Sequence, residues 1–194
     1  MLRFKKKSIA LLFLALLASN YLILSTSNAD ASDDPYYEGE YMDGLPHGQG
    51  KMTWDHGASY VGEYKGGKQH GNGLFTWPNG GSYEGEYEFD VEHGIGIMRW
   101  PSGRTYQGEW KKGLLHGNGI MTWPDDGTYN GEFKDGKFHG LGILISGNRT
   151  QYKGEWSKGL AIGSGVKVLP DGSIYNGNWT DNSKKDFRLY RIGK

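Results

Sequence analysis

The sequence predicts an all-β protein, a meander of 23-residue β-hairpins in a single antiparallel sheet with one aromatic face. Three observations predict it. Tyrosine recurs at Tyr37, Tyr60, Tyr83, Tyr106, Tyr129, Tyr152 and Tyr175, each 23 residues from the last. Within each unit, apolar and small residues alternate with period two on both sides of a glycine-rich turn, the pattern of two short paired strands. After residue 29 no segment sustains a helical period.

The first 29 residues carry Arg3, Lys5, Lys6 and Lys7, then the apolar run IALLFLALLASNYLIL, then small residues at Ser27 and Ala29. This is the layout of a secretory signal, with cleavage expected near Ala29 or Ala31. The rival is an uncleaved membrane anchor. A helix over residues 9–24 spans only about 24 Å against a hydrocarbon core of about 30 Å, and Asn20 interrupts it. Export to the periplasm or the extracellular space is therefore the expected localisation. Residues 30–36 form a short linker. Without the four basic side chains of the first 29 residues, 18 Lys and Arg face 22 Asp and Glu, a net of −4.

Residues 37–180 form the repeat array, six full units and one partial. The third position of each unit is glycine (Gly39, Gly62, Gly85, Gly108, Gly131, Gly154, Gly177) and the fifth is aromatic (Tyr41, Tyr64, Tyr87, Trp110, Phe133, Trp156, Trp179). Later come His-Gly-x-Gly, an apolar residue, and a Trp-Pro-x-Gly turn or a variant of it, as in HGNGLFTWPNG from His70 to Gly80. Pro78, Pro101, Pro124 and Pro170 mark the second connection, where a strand ends and a turn starts. Side-chain size suggests a register in which positions 1, 3 and 5 face positions 18, 16 and 14. Tyr106 then lies opposite Trp123, Gly108 opposite Met121, and Trp110 opposite Gly119. Each glycine would leave room for a ring across the neighbouring strand, although glycine alone weakens a strand. The same parity puts Tyr106, Trp110, Met121 and Trp123 on one face and Glu109, Ile120 and Thr122 on the other. No unit buries its rings alone; its neighbours complete the core.

The pattern YxGxWxxGxxHGxG, as in YQGEWKKGLLHGNG from Tyr106, resembles the MORN (membrane occupation and recognition nexus) repeat. The resemblance covers Tyr37 to Trp179. It implies an elongated, twisted antiparallel sheet with an aromatic-lined groove, serving as a scaffold or interaction surface; the family name itself points to membranes. Departures mark certain units. The fifth has Ser146, Gly147, Asn148 and Arg149 in place of Trp-Pro-x-Gly. The sixth has Ile162 for histidine and Leu169 for tryptophan. The seventh is expected to stop after its first strand, leaving residues 181–194 as a basic C-terminal cap or tail.

Composition narrows the chemistry. The 33 glycines are more than twice the usual share of roughly 7%, yet Trp and Tyr are abundant, unlike a disordered linker. Cysteine is absent, which excludes a disulfide framework, a thiolate zinc site and a cysteine nucleophile. The ladder His47, His70, His93, His116 and His139 suggests a metal, but equivalent residues of successive hairpins stand two strand spacings apart, about 9.5 Å. Zinc holds nitrogen ligands at about 2 Å, so neighbours cannot share an ion. The carboxylates Glu40, Glu63, Glu86, Glu109, Glu132 and Glu155 repeat in six similar environments, whereas an acid–base pair needs two different ones. They read as bonds to backbone turns or a solvated face. HGNGIM and HGLGIL lack the lysine and helix of a phosphate loop. No catalytic residue, metal or cofactor is expected.

The expected function is that of a non-enzymatic exported scaffold. It binds a protein partner, or another copy of itself, through an aromatic groove or its sheet edges. Candidate contacts are Trp54, Tyr60, Trp77, Tyr83, Trp100, Tyr106, Trp110 and Trp123. The alternative is a headgroup or glycan binder of the cell envelope, in which the tryptophans stack on sugars or enter a membrane interface. Residues 37–180 hold 13 Lys and Arg against 17 Asp and Glu. An anionic surface attracts about 1 kcal/mol per basic residue, so only Lys184, Lys185, Arg188, Arg191 and Lys194 could contact it, weakly. Nucleic acid is not expected as a partner.

Overall fold

The computed structural model describes residues 35–190, with side chains described through residue 182. The expected signal segment, Arg191 and Lys194 lie outside the described residues.

Among the described residues, fourteen strands pair in sequence order in one antiparallel sheet. The first strands of the units are β1 (Tyr36–Met42), β3 (Ser59–Lys65), β5 (Ser82–Glu88), β7 (Thr105–Lys111), β9 (Gly127–Lys134), β11 (Gln151–Ser157) and β13 (Ile174–Thr180). The second strands are β2 (Leu45–Thr53), β4 (Lys68–Thr76), β6 (Val91–Arg99), β8 (Leu114–Trp123), β10 (Lys137–Ser146), β12 (Leu160–Val168) and β14 (Ser183–Tyr190).

Each hairpin closes on two residues of positive φ, such as Lys112 (52°) with Gly113 (75°). This is the type I′ turn, whose twist matches that of paired strands. The turn fixes Trp110 opposite Leu115 and Glu109 opposite His116. Two extra residues, Gly117 and Asn118, then bulge out of β8, and the ladder resumes with Gly108 opposite Gly119 and Tyr106 opposite Met121. Gly117 supplies the left-handed backbone of the bulge (φ 53°). The register expected from side-chain size is therefore off by two. Glycine faces glycine, not methionine, because a tight turn followed by a bulge sets the pairing.

A shift of two preserves parity, so the faces stand as expected. Tyr106, Trp110 and Met121 are buried together while Ile120 is exposed. The role of glycine also stands, on a diagonal. A Cβ on Gly119 would lie 2.5 Å from the ring of Tyr106, and one on Gly108 would lie 2.5 Å from the Cα of Gly119. The tyrosine ring lies across the glycine pair.

The seventh unit is complete, contrary to the expectation of a single strand. β14 pairs with β13 from Ile174↔Tyr190 to Thr180↔Ser183. Its bulge has one extra residue, between Asn178↔Lys185 and Gly177↔Phe187. Asp186 stands where the other units have the left-handed glycine, which accounts for the smaller bulge. The segment expected as cap or tail thus supplies the last strand, and Lys184, Lys185 and Arg188 belong to it.

Candidate partner-binding face

A bulge interrupts the ladder and frees backbone groups, which must find partners when buried. Two side chains of each standard unit supply them. The Tyr106 hydroxyl donates to the carbonyl of Glu109 at 2.9 Å, with the carbonyl of His116 at 3.3 Å. The Glu109 carboxylate accepts the backbone N–H of Asn118 at 2.7 Å. The same carboxylate bond recurs from Glu40 to Glu155, at 3.2, 2.8, 2.9, 2.9 and 3.3 Å in the other units. The glutamate ladder is therefore built into the backbone, as the turn-bonding reading expected. Among the described residues no three His, Asp or Glu side chains converge as a metal site.

The rings form a zipper along the array. Tyr60 meets Tyr64 of its own unit and Tyr87 of the next, each at 5.1 Å and near 90°. Tyr83 meets Tyr87 and Trp110, Tyr106 meets Trp110 and Phe133, and the edge-to-face contacts continue to Tyr152 with Trp179 at 5.0 Å. Such pairs contribute about 0.5–1.5 kcal/mol each beyond the area they bury. Where position 5 is tryptophan, its indole N–H donates to a backbone carbonyl of the preceding unit: Trp110 to Gly96, Trp156 to Gly142 and Trp179 to Gly165, each at 3.3 Å.

This packing divides the eight candidate contacts. Tyr60, Tyr83 and Tyr106 are 0% exposed and Trp110 is 6% exposed. The three tyrosines are core residues and present no surface to a partner, while Trp110 keeps a small exposed edge. Burial raises the hydroxyl pKa of these tyrosines, with nearby carboxylates such as Glu63 and Glu109 adding to it. Trp54, Trp77, Trp100 and Trp123 are half-buried and pack against the outside of the zipper. Trp54 and Trp77 both touch Phe75, at 5.4 and 4.8 Å, and the Arg104 guanidinium lies over Trp100 at 3.9 Å.

A second row, half-buried from Pro46 to Phe138 and buried at Ala161, is not marked by the sequence pattern. Position 10 lies opposite the inward aromatic of position 5, as in Tyr64↔Gln69, Tyr87↔Glu92 and Trp110↔Leu115. It reads Pro46, Gln69, Glu92, Leu115, Phe138 and Ala161 along the array. Its signal was variation at a position of otherwise constant surroundings. Glu92 adds to burial in raising the Tyr87 hydroxyl. Phe138 stacks on Tyr129 with ring centres 3.7 Å apart. The face thus passes from polar at units 2 and 3 to apolar at units 4 and 5.

The MORN repeat model of protein families matches six consecutive segments, residues 37–58, 60–82, 83–103, 106–128, 129–151 and 152–174. The chain belongs to the MORN-repeat family. The seventh unit, with Asn178 for glutamate and Lys185 for histidine, falls outside the matched MORN segments. No curated protein matches the chain. Among solved structures, this MORN array is similar to the SAS-4 (dCPAP) TCP domain of Drosophila melanogaster, solved in complex with a proline-rich motif of Ana2 (dSTIL). The identity is 13%, covering 86% of this chain and 96% of that one, with a TM-score of 0.43. It is also similar to the TCP10c domain of Drosophila melanogaster Sas-4, at 13% identity over 72% of this chain and 91% of that one, with a TM-score of 0.37.

Proposed function

We propose that this MORN array is a non-enzymatic, exported scaffold that binds a protein partner through its aromatic face. One observation carries the reading. The half-buried row Trp54, Trp77, Trp100 and Trp123 lies along one face of a single-layer sheet whose tyrosines already form the core. A single layer leaves such a stripe for another surface to cover, and contiguous apolar patches mark interaction sites. Export rests on the Lys-rich start, apolar run and small residues of the first 29 positions. The non-enzymatic reading rests on the glutamates, whose carboxylates are bonded to backbone N–H groups in six equivalent places.

The test is affinity capture from envelope extract on the immobilised full chain, with the captured protein then purified and titrated back. Trp77→Ala with Trp100→Ala should abolish capture while the unfolding free energy from urea titration stays within about 1–2 kcal/mol of the parent, since both rings are only half-buried. Capture should persist at raised salt, because apolar contacts are not screened. Undiminished capture by the double variant would overturn the reading. So would binding to anionic vesicles that fades with salt and disappears in Lys184→Gln with Lys185→Gln, the outcome expected of a headgroup binder.

A further inference from the structure

Three departures from the repeat meet at one place on the aromatic face. Where units 1 to 4 carry Trp54, Trp77, Trp100 and Trp123, unit 5 carries Ser146. Where units 4 and 5 carry Leu115 and Phe138, unit 6 carries Ala161. Opposite its own tyrosine, unit 6 has Lys167 in place of Met98, Met121 or Leu144. Two losses of volume and one gain of charge fall within neighbouring hairpins.

The result is a cavity of about 300 Å³. It extends from Ser146 and Thr150, at the β10–β11 connection, to Gly159 at the β11–β12 turn. This volume is at the lower end of small-ligand sites and accommodates an indole or phenol ring. Tyr152, Trp156 and Trp179 contribute rings to the lining, and Phe138 and Leu144 add apolar surface. The polar atoms of those three rings are already engaged: the indole N–H groups donate to Gly142 and Gly165, and the Tyr152 hydroxyl donates to the carbonyl of Glu155 at 3.4 Å. They therefore present ring surface rather than hydrogen bonds. Lys167 is the single charged side chain of the lining. Its ammonium stands 5.8 Å from the ring of Trp179 and forms no ion pair with any carboxylate among the described residues.

We propose that this cavity is the anchor subsite of the partner-binding face. It takes an aromatic side chain of the partner protein, with a carboxylate a few bonds from the ring meeting Lys167. Aromatic walls favour a flat ring in offset or edge contact, and the Lys167 ammonium, which has no carboxylate partner among the described residues, selects an acidic neighbour. This inference rests on the protein-binding reading and adds its chemistry. Ser146 and Ala161 create the space; Lys167 sets the charge.

N-acetyl-tryptophan, which carries its carboxylate beside the indole, and the neutral N-acetyl-tryptophanamide are the probes. Each is titrated into the full chain while the indole N–H signals of Trp156 and Trp179 are followed by NMR. The acid should bind roughly threefold to fivefold more tightly than the amide, the effect of a half-exposed ion pair. The difference should shrink with salt and vanish in Lys167→Met, where acid and amide should bind alike. Ser146→Trp restores the residue of units 1 to 4 and should remove binding of both probes; Ala161→Leu, which fills the cavity from the other side, should do the same if Ser146→Trp fails to fold. Equal affinities for acid and amide, or unchanged binding in a folded filled variant, overturn the proposal. Failure of both probes with capture still dependent on Trp77 and Trp100 removes the subsite alone, whereas loss of that dependence removes the wider reading.

Discussion

Gly108 and Gly119 stand face to face beneath one tyrosine ring, and the fold depends on the absence of two Cβ atoms. A methyl group on Gly108 would lie 2.5 Å from the Cα of Gly119 and 2.6 Å from both the Tyr106 hydroxyl and the carbonyl oxygen of Asn118. Neither backbone atom can yield without moving the strand pair. Gly108→Val should cost about 1–3 kcal/mol, the usual range of overpacking, and lower the urea midpoint accordingly. Glu109→Gln keeps an oxygen for the N–H of Asn118 and should be mild, while Glu109→Ala strands that donor and should cost about 0.5–1.5 kcal/mol. Equal midpoints for Gly108→Val and Glu109→Gln would contradict the packing. The tyrosines make a second residue-scale prediction. Burial raises the hydroxyls of Tyr60, Tyr83, Tyr106 and Tyr129 above the ordinary value near 10 and takes Tyr152 up to about 12, with carboxylates adding to the shift. The unfolded chain therefore loses these protons first. Their contribution to stability is complete below about pH 10 and falls as pH rises from there through the folded-state values. Absorbance at 295 nm and far-ultraviolet circular dichroism should show a shared cooperative transition of tyrosine ionisation and loss of sheet above pH 10; titration of all tyrosines with the sheet intact would count against their burial.

At the scale of the element, the hairpin turns show what could be read from sequence and what could not. Alternation and the glycine-rich turns were legible, and so were the two faces, since parity survives any shift by two. Register was not, because a two-residue bulge leaves no mark in hydrophobic alternation. Its signature was the second glycine of His-Gly-x-Gly, aligned across the bulge with the glycine two residues after tyrosine. The split of the candidate rings into core and surface was illegible for a related reason: Tyr60 and Trp77 share a face, and only the diagonal over the glycines sends the tyrosine inward. The turn of unit 3 is an exception among the hairpins. Phe89 and Asp90 adopt φ of 50° and 72°, a region that disfavours a bulky residue. Asp90 is compensated, because its carboxylate accepts the backbone N–H of Gln69 at 2.8 Å and its own N–H donates to the carbonyl of Gln69 at 2.9 Å. Asn182 makes the equivalent side-chain bond to Ala161 at 2.7 Å. Phe89 is 47% exposed and has two weak contacts, a tilted one with His70 at 5.0 Å and the Lys65 ammonium 6.0 Å from its ring. Phe89→Asn should therefore stabilise the protein by up to about 1 kcal/mol, since asparagine tolerates this conformation, and raise the thermal midpoint. A lowered midpoint would show that the contacts of Phe89 with His70 and Lys65 outweigh the strain.

For the whole molecule, each unit touches its neighbours through the same set of contacts, which makes the array divisible at its own period. The position 8 N–H of one unit bonds the position 10 carbonyl of the unit before it, as in Gly113 to Glu92 and Gly136 to Leu115, both at 3.0 Å. The zipper likewise joins each tyrosine to the fifth residue of the next unit. Excising residues 106–128, one full period, should therefore bring Gly136 to Glu92 and Phe133 to Tyr83 and recreate every class of contact. The shortened chain should fold cooperatively, with a urea m-value lower by about one seventh because m scales with the surface exposed on unfolding. It should also retain the cavity between units 5 and 6 and hence the response of Trp156 and Trp179 to N-acetyl-tryptophan. Excising residues 109–130 instead removes one residue fewer than a period and joins Gly108 to Gly131 in mid-strand, where no loop can absorb the extra residue. The rings of every later unit would then point to the opposite face of the sheet from those before the cut, and no slip by two can repair an odd error. Near-ultraviolet circular dichroism should retain the aromatic signal in the first variant and lose much of it in the second. If both deletions fold equally well, the array is not held together by a face-specific ring zipper.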